Sequence, residues 1–441
     1  MGFEIGSGLV LISAILIGSV LGFLLAPHVM IAALIPLYAL IPALKVFLTP
    51  AIGPVKDLVA VAAIVATAVL VISDRPRRLR RSTQDSWIVV AVALLVGLYL
   101  VNPGGGHGVA WAQGVRLACE PLFLLVCGFA LPNPRRTLRW AVVSLIATTC
   151  LVAAYGIAQQ AVGASTLVAW GYSFNDQVRT LNGHLRSFGT LDDPFNYAAF
   201  LLFGFAASLF CVRRNRVAFT FGLLIAAGVA SSWVRTAYLV SAALLGLWIG
   251  RRGYHVSALM VVAATVAAAA FLLLAGPGAT QTTTYRSSTS NLTLNGRTSA
   301  WKAALGKPSE WPFGRGVGKV GTAAYRAGFT ITPAGSSHPP ARAVDSGYLA
   351  TVADVGVAGL IVLLALLGRL LLLGMNAIRR QDAAGWIAVA LMVVITMDAV
   401  TRSSFTGFPT ASLGLLLVGI ALAAAAEDRV HRPDGVYRLR V

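Results

Sequence analysis

The sequence predicts an all-α integral membrane protein: a polytopic helical bundle of 12 or 13 transmembrane helices with one large external loop. Three observations carry that expectation. Of 441 residues, 57% are hydrophobic, and the mean hydropathy is +0.78. Only 12% are charged, against about 25% in a typical soluble domain. Apolar runs of about 17–25 residues, the length that crosses a bilayer as helix, recur along the whole chain.

The runs place spans at 8–25, 28–48, 55–73, 86–101, 114–131, 138–160, 194–212, 217–233, 235–250, 255–275, 346–373, 384–400 and 409–426. Pro27, Pro36, Pro42 and Pro50 punctuate the first two, so these read as a hairpin or a broken segment. No cleavable signal is expected, because the first run starts near Leu9 without a basic stretch before it.

The net charge of +19 suggests a nucleic-acid partner until its placement is considered. Of 35 basic residues, 20 fall in six short clusters between apolar runs: 75–81, 135–139, 213–216, 251–252, 369–380 and 429–440. Short cytoplasmic loops carry Lys and Arg, so the clusters report orientation. No nucleic-acid partner is implied. Cytoplasmic loops are then 74–85, 132–139, 213–216, 251–254 and 374–383, with a basic cytoplasmic tail at 427–441. The external segments are 102–113, 161–193, the turn Ser232 to Arg235, 276–345 and 401–408. The chain divides accordingly: spans within 1–275 with an external loop at 161–193, the large external loop 276–345, and C-terminal spans within 346–426. Cys119, Cys127, Cys150 and Cys211 all lie in apolar segments, without metal-ligand spacing, and read as packing residues.

The loop 276–345 has eight basic and two acidic residues, on the side where positive charge is usually scarce. A loop this long escapes the positive-inside rule, so a merely solvated basic loop is one reading. An outward-facing anion site is the other, since the guanidinium fork donates bidentately to phosphate. "GRTSAWKAAL" (296–305) reads as a short helix along the membrane. "PFGRGVGKVG" (312–321) is Gly-rich but lacks the spacing and the strand-to-helix context of a nucleotide-binding loop.

Four external ionisable residues stand near the outer boundary. Arg186 lies in "HLRSFGTLDDPFNYAAF" before a span, Arg235 opens a span in "SSWVRTAYLV", Arg297 opens the short helix, and Asp345 precedes a span in "AVDSGYLATVADVGVAGL". Charge inside a membrane segment is costly, so an arginine at such a boundary asks for a partner. Three arginines and a carboxylate suit a membrane-anchored diphosphate and a group that must lose a proton. Transfer of a sugar from a lipid diphosphate needs the leaving charge stabilised and a base for the acceptor hydroxyl.

These segments, in this order and with one large external loop, resemble the O-antigen ligase and O-antigen polymerase (Wzy-type) superfamily. The stronger matches run from about residue 150 to 420. The resemblance implies a GT-C-like, metal-independent, inverting glycosyltransferase with no cofactor. It implies a polyprenyl (undecaprenyl) diphosphate-linked glycan donor and a glycan, lipid or protein acceptor. It also implies a multi-pass protein of the bacterial inner membrane, with its active site outside and its C-terminus cytoplasmic. Arg235 and Arg297 are then the diphosphate contacts, with Arg186 as a further candidate by its position. Lys56, at the outer start of a span, either reaches a lipid phosphate or is a snorkelling interfacial lysine. Many family ligases have His-Asn where this chain has Asp345-Ser346. The base is therefore Asp345 or His338, which lies seven residues earlier. Tyr348 and Arg342 are candidate glycan or acceptor contacts, with the interfacial aromatic belt as the other reading for Tyr348.

Three further groups read as structural. Arg116 and Glu120, like Asp398 and Arg402, are four apart on a helix face and are expected to form ion pairs. Asp354 lies nine residues after Asp345, hence on the opposite helix face, toward a neighbouring helix. The alternative from another class is a transporter or flippase for lipid-linked oligosaccharide or anions. Against it, the sequence has no internal repeat and few mid-membrane charges of the kind a relay needs.

Overall fold

A computed structural model describes residues 2–49, 52–73, 86–102, 108–172, 180–181, 184–211, 216–251, 308–319, 323 and 346–431. In chain order the helices are α1 (Gly2–Leu25), α2 (Pro27–Phe47), α3 (Val55–Ser73), α4 (Ser86–Val101), α5 (Val109–Ala130) and α6 (Pro134–Val162). They continue with a short α7 (Ala164–Ala169), then α8 (Pro194–Cys211), α9 (Arg216–Ser231), α10 (Arg235–Gly250), α11 (Gly347–Arg379), α12 (Ala383–Thr401) and α13 (Thr410–His431). Between α7 and α8, β1 (Thr180–Leu181) and β2 (His184–Leu185) make a minimal antiparallel pair, Thr180 opposite Leu185. Twelve expected spans overlap these helices; the span expected at 255–275 lies outside the described residues. The first two spans are separate helices that turn at Ala26.

Helices form here because a chain in hydrocarbon must satisfy every backbone polar group internally. Among the described residues, seven helices are long and apolar enough to cross a bilayer, and five more are shorter and apolar. Starts are marked by proline, whose missing N–H costs nothing at a first helical turn: Pro27, Pro134 and Pro194. Others are capped. Asp382 Oδ1 accepts from Ala384 N at 2.9 Å, and Asp193 Oδ1 from Asn196 N at 2.7 Å.

The core centres on α13, which packs against α5, α6, α11 and α12. Leu413, Leu416, Val418 and Ile420 are wholly buried. Close approach to α5 depends on two glycines. A Cβ on Gly128 would lie 2.5 Å from Leu416 O, and one on Gly419 would lie 2.4 Å from Leu125 O. Lipid tails give no hydrophobic drive between helices, so such backbone-to-backbone contact supplies the packing. Outward faces expose apolar side chains such as Leu151, Leu223, Ile361 and Leu372.

The two ends of the bundle differ. One carries arginines at helix junctions: Arg135 reaches Asp382 at 4.0 Å, and Arg251 donates to Phe210 O at 3.1 Å beside the Trp386 ring. The opposite end gathers Lys56, Arg116, Arg186, Arg235 and Arg402, together with residues 308–319. Two polar clusters form there.

Candidate functional site

The first cluster starts from the segment between β2 and α8. Two adjacent glutamines at the end of α6 hold that segment. Gln159 Oε1 accepts from the main-chain N of Phe188 and Gly189 at 3.1 and 2.9 Å. Gln160 Nε2 donates to Leu185 O at 2.8 Å and to Ser187 Oγ at 2.7 Å. The main-chain N of Ser187 donates to Ser231 O at 3.0 Å, tying the segment to the α9–α10 turn. Arg186 is thereby fixed and nearly buried, at 5% exposure. Its Nε donates to Ser232 O at 3.3 Å, and its guanidinium lies 4.6 Å from the Phe195 ring centre. Burial lowers its pKa to about 10, and the neighbouring charge of Arg235 pushes the same way against Asp193 and Tyr238. It remains a cation at neutral pH.

Arg235 is the first residue of α10 and half-buried. Among the described residues, no carboxylate or carbonyl hydrogen-bonds its guanidinium. Arg402 is the opposite case. It contacts Asp398 at 3.2 Å, Asn196 Oδ1 at 2.9 Å and Asp193 at 3.9 Å, and lies 5.4 Å from the centre of the Phe195 ring that Arg186 also meets. Ser404 Oγ donates to the same Asp398 carboxylate at 2.5 Å. The expected Asp398–Arg402 pair therefore forms.

The second cluster joins the starts of α3, α5 and α13. Lys56 Nζ is 2.5 Å from Asp57 Oδ1, and 4.5 Å from the Phe408 ring centre. Arg116 Nη1 lies 2.8 Å from Asp57 Oδ2, and Glu120 accepts from Ser412 Oγ at 2.9 Å. The expected Arg116–Glu120 pair is replaced by an interhelical bond. The geometry of α5 permits the (i, i+4) contact, but Asp57 on α3 lies nearer and shares its second oxygen. Lys56, grouped by sequence with the diphosphate arginines, is held in this separate cluster.

Tyr348 joins α11 to α12: its hydroxyl donates to Thr396 O at 3.1 Å, and its ring packs on Phe405 at 5.2 Å. Ser346 caps α11 by accepting from Leu349 N at 3.5 Å, and donates to Ala399 O at 3.4 Å. The start of α11 is thus anchored beside Arg402. Asp345, His338, Arg297 and Arg342 lie outside the described residues.

The Gly-rich external segment has a definite place. At Gly356, α11 breaks, with φ of 76° and ψ of −174°. Residues 311–315 replace the missing bonds: Val357 N donates to Trp311 O at 2.8 Å, and Arg315 N donates to Ala353 O at 2.7 Å. Asn102 Nδ2 bridges Phe313 O and Asp354 O at 2.6 and 2.8 Å. The neighbouring-helix contact expected of Asp354 is therefore made through its carbonyl. Gly314, with φ of 77°, lies so close that a Cβ there would be 2.6 Å from Gly356 N. Sequence reasoning missed this docking, and also the roles of Gln159 and Gln160. The signals were present as adjacent amides in an apolar run and as glycines in two distant segments. Among the described residues, no three His, Cys, Asp or Glu side chains group at metal-ligand distance.

The architecture is that of a multi-pass all-α membrane protein with a cationic site at one end of its bundle. Residues 216–364 match the family model described as O-antigen ligase. The match is in line with the resemblance of the chain to the O-antigen ligase and polymerase superfamily. It takes in Arg235, the docked Gly-rich segment and the broken start of α11. No curated protein matches the chain.

Proposed function

We propose that this protein transfers a glycan from a polyprenyl diphosphate to an acceptor hydroxyl at the external face of the bacterial inner membrane, as a polysaccharide ligase or polymerase. One observation carries the reading: the buried guanidinium of Arg186 is hydrogen-bonded to Ser232 O, in the turn that leads to the half-buried Arg235 at the start of α10. A dianionic diphosphate between the two guanidinium groups would be met by paired, charge-assisted bonds. Arg297 is the third proposed contact, from the external loop.

In the proposed step the acceptor oxygen attacks the anomeric carbon as the bond from that carbon to the diphosphate oxygen breaks. The electron pair leaves with the polyprenyl diphosphate, where the arginines stabilise it. The hydroxyl proton passes to the Asp345 carboxylate, with His338 as the other candidate base. A single displacement inverts the anomeric centre. Arg342 and Tyr348 are proposed to border the acceptor. The test is glycan transfer by an Arg235→Ala variant that still inserts and folds. The expected result is loss of transfer; turnover at the wild-type rate would remove the assignment.

A further inference from the structure

The turn that delivers Arg235 contains a residue that diphosphate binding does not use. Trp233 has φ of 53°, in the left-handed region that a bulky side chain rarely adopts. Its neighbours hold it there. Ser231 O accepts from Ser187 N at 3.0 Å and from Gln160 Nε2 at 3.2 Å. Ser232 Oγ donates to Val229 O at 2.6 Å and accepts from Val234 N at 3.2 Å. Ser232 O accepts from Arg186 Nε at 3.3 Å. The turn is over-determined, the condition under which such strain persists.

Burial of the indole does not explain the strain. Ser232 and Val234 are 0% and 2% exposed, while Trp233 between them is 43% exposed. Glycine would take the same backbone without cost. The turn thus holds a large aromatic ring at the surface, two residues before Arg235 and hydrogen-bonded through its neighbour to Arg186.

A lipid-linked donor joins its first sugar to the diphosphate at the anomeric carbon, so that sugar lies beside whatever holds the diphosphate. An indole offers an apolar face to pyranose C–H groups and an N–H donor to a hydroxyl. We propose that Trp233 is the stacking platform for the first sugar of the donor and a specificity-determining residue for it. This rests on the diphosphate reading of Arg186 and Arg235.

The test uses the full chain in bilayer discs and two ligands. One is the lipid-linked glycan accumulated by cells lacking this gene; the other is the same lipid diphosphate with its glycan removed. The wild type is expected to bind the glycan-bearing lipid more tightly than the bare one. Trp233→Ala and Trp233→Gly are expected to lose that preference, weakening the glycan-bearing lipid roughly three- to ten-fold, with bare lipid bound as before. Trp233→Phe retains most of it. Trp233→Gly relieves the backbone strain, so its thermal unfolding guards against misfolding as the cause. An unchanged preference in the Ala and Gly variants overturns the platform and leaves the diphosphate reading intact. A wild type that binds neither lipid overturns the diphosphate reading itself.

Discussion

Two cationic clusters share one end of the bundle and are built in opposite ways. Around Lys56, each charge is met: Asp57 serves Lys56 with one oxygen and Arg116 with the other. Around Arg186 and Arg235 the carboxylates lie on Arg402: Asp398 serves Arg402 and Ser404, and Asp193 caps α8 and reaches Arg402 at 3.9 Å while favouring the Arg186 charge. Among the described residues, no carboxylate hydrogen-bonds Arg235. The first cluster ties helices together; the second is the one proposed to receive an anion.

Mutations should part the two clusters. Arg235→Ala is expected to lower transfer by roughly 10²–10³-fold, the scale for removing one preorganised charge-stabilising group. Its thermal stability should stay close to wild type. Arg235→Lys should also be impaired, because a point charge replaces a fork. Measured initial rates and unfolding curves check both.

Asp57→Ala should act through stability. It leaves the nearly buried Lys56 unpaired, and breaking such a pair costs about 3–5 kcal/mol, less here because Asp57 is 24% exposed. Transfer per folded molecule should change little. Gly356→Ala tests the docking of the external segment. A Cβ there would lie 2.3 Å from Pro312 O at a positive φ, so roughly 1–3 kcal/mol of strain or undocking is expected. Protease cleavage between 308 and 319 should then accelerate.

Arg186→Gln provides the contrast in sign. Burial lowers the Arg186 pKa to about 10, so the folded state holds that charge less readily than the unfolded chain. The penalty is present at neutral pH and lifts as pH rises through that value. Removing the charge should therefore leave unfolding temperature unchanged or raised. The stabilisation that undecaprenyl diphosphate confers on the wild type should disappear. The smallest effect belongs to Tyr348→Phe, which loses one hydrogen bond and about 1 kcal/mol, with transfer retained if the ring and not the hydroxyl borders the acceptor.

The helices were readable from sequence because hydrophobic length is a local property. Spans 55–73, 86–101 and 235–250 coincide with α3, α4 and α10. Partners across helices are not local. Helical spacing correctly paired Asp398 with Arg402, yet it paired Arg116 with Glu120, whereas the bond to Asp57 joins residues 59 apart. The break at Gly356 was hidden for the same reason: "ADVGVAGL" fits a helix until residues 311–315 supply its hydrogen bonds. Arg186 and Arg235 could be nominated from their segments, but their proximity depends on Gln159, Gln160 and the turn at Ser231–Val234.

The most direct test of the central claim is undecaprenyl diphosphate binding to the wild type, Arg235→Ala and Arg116→Ala proteins in matched bilayer discs. Arg235→Ala is expected to lose binding, while Arg116→Ala binds as the wild type does. Equal affinity in all three would contradict that claim, because Arg235 would then hold no diphosphate.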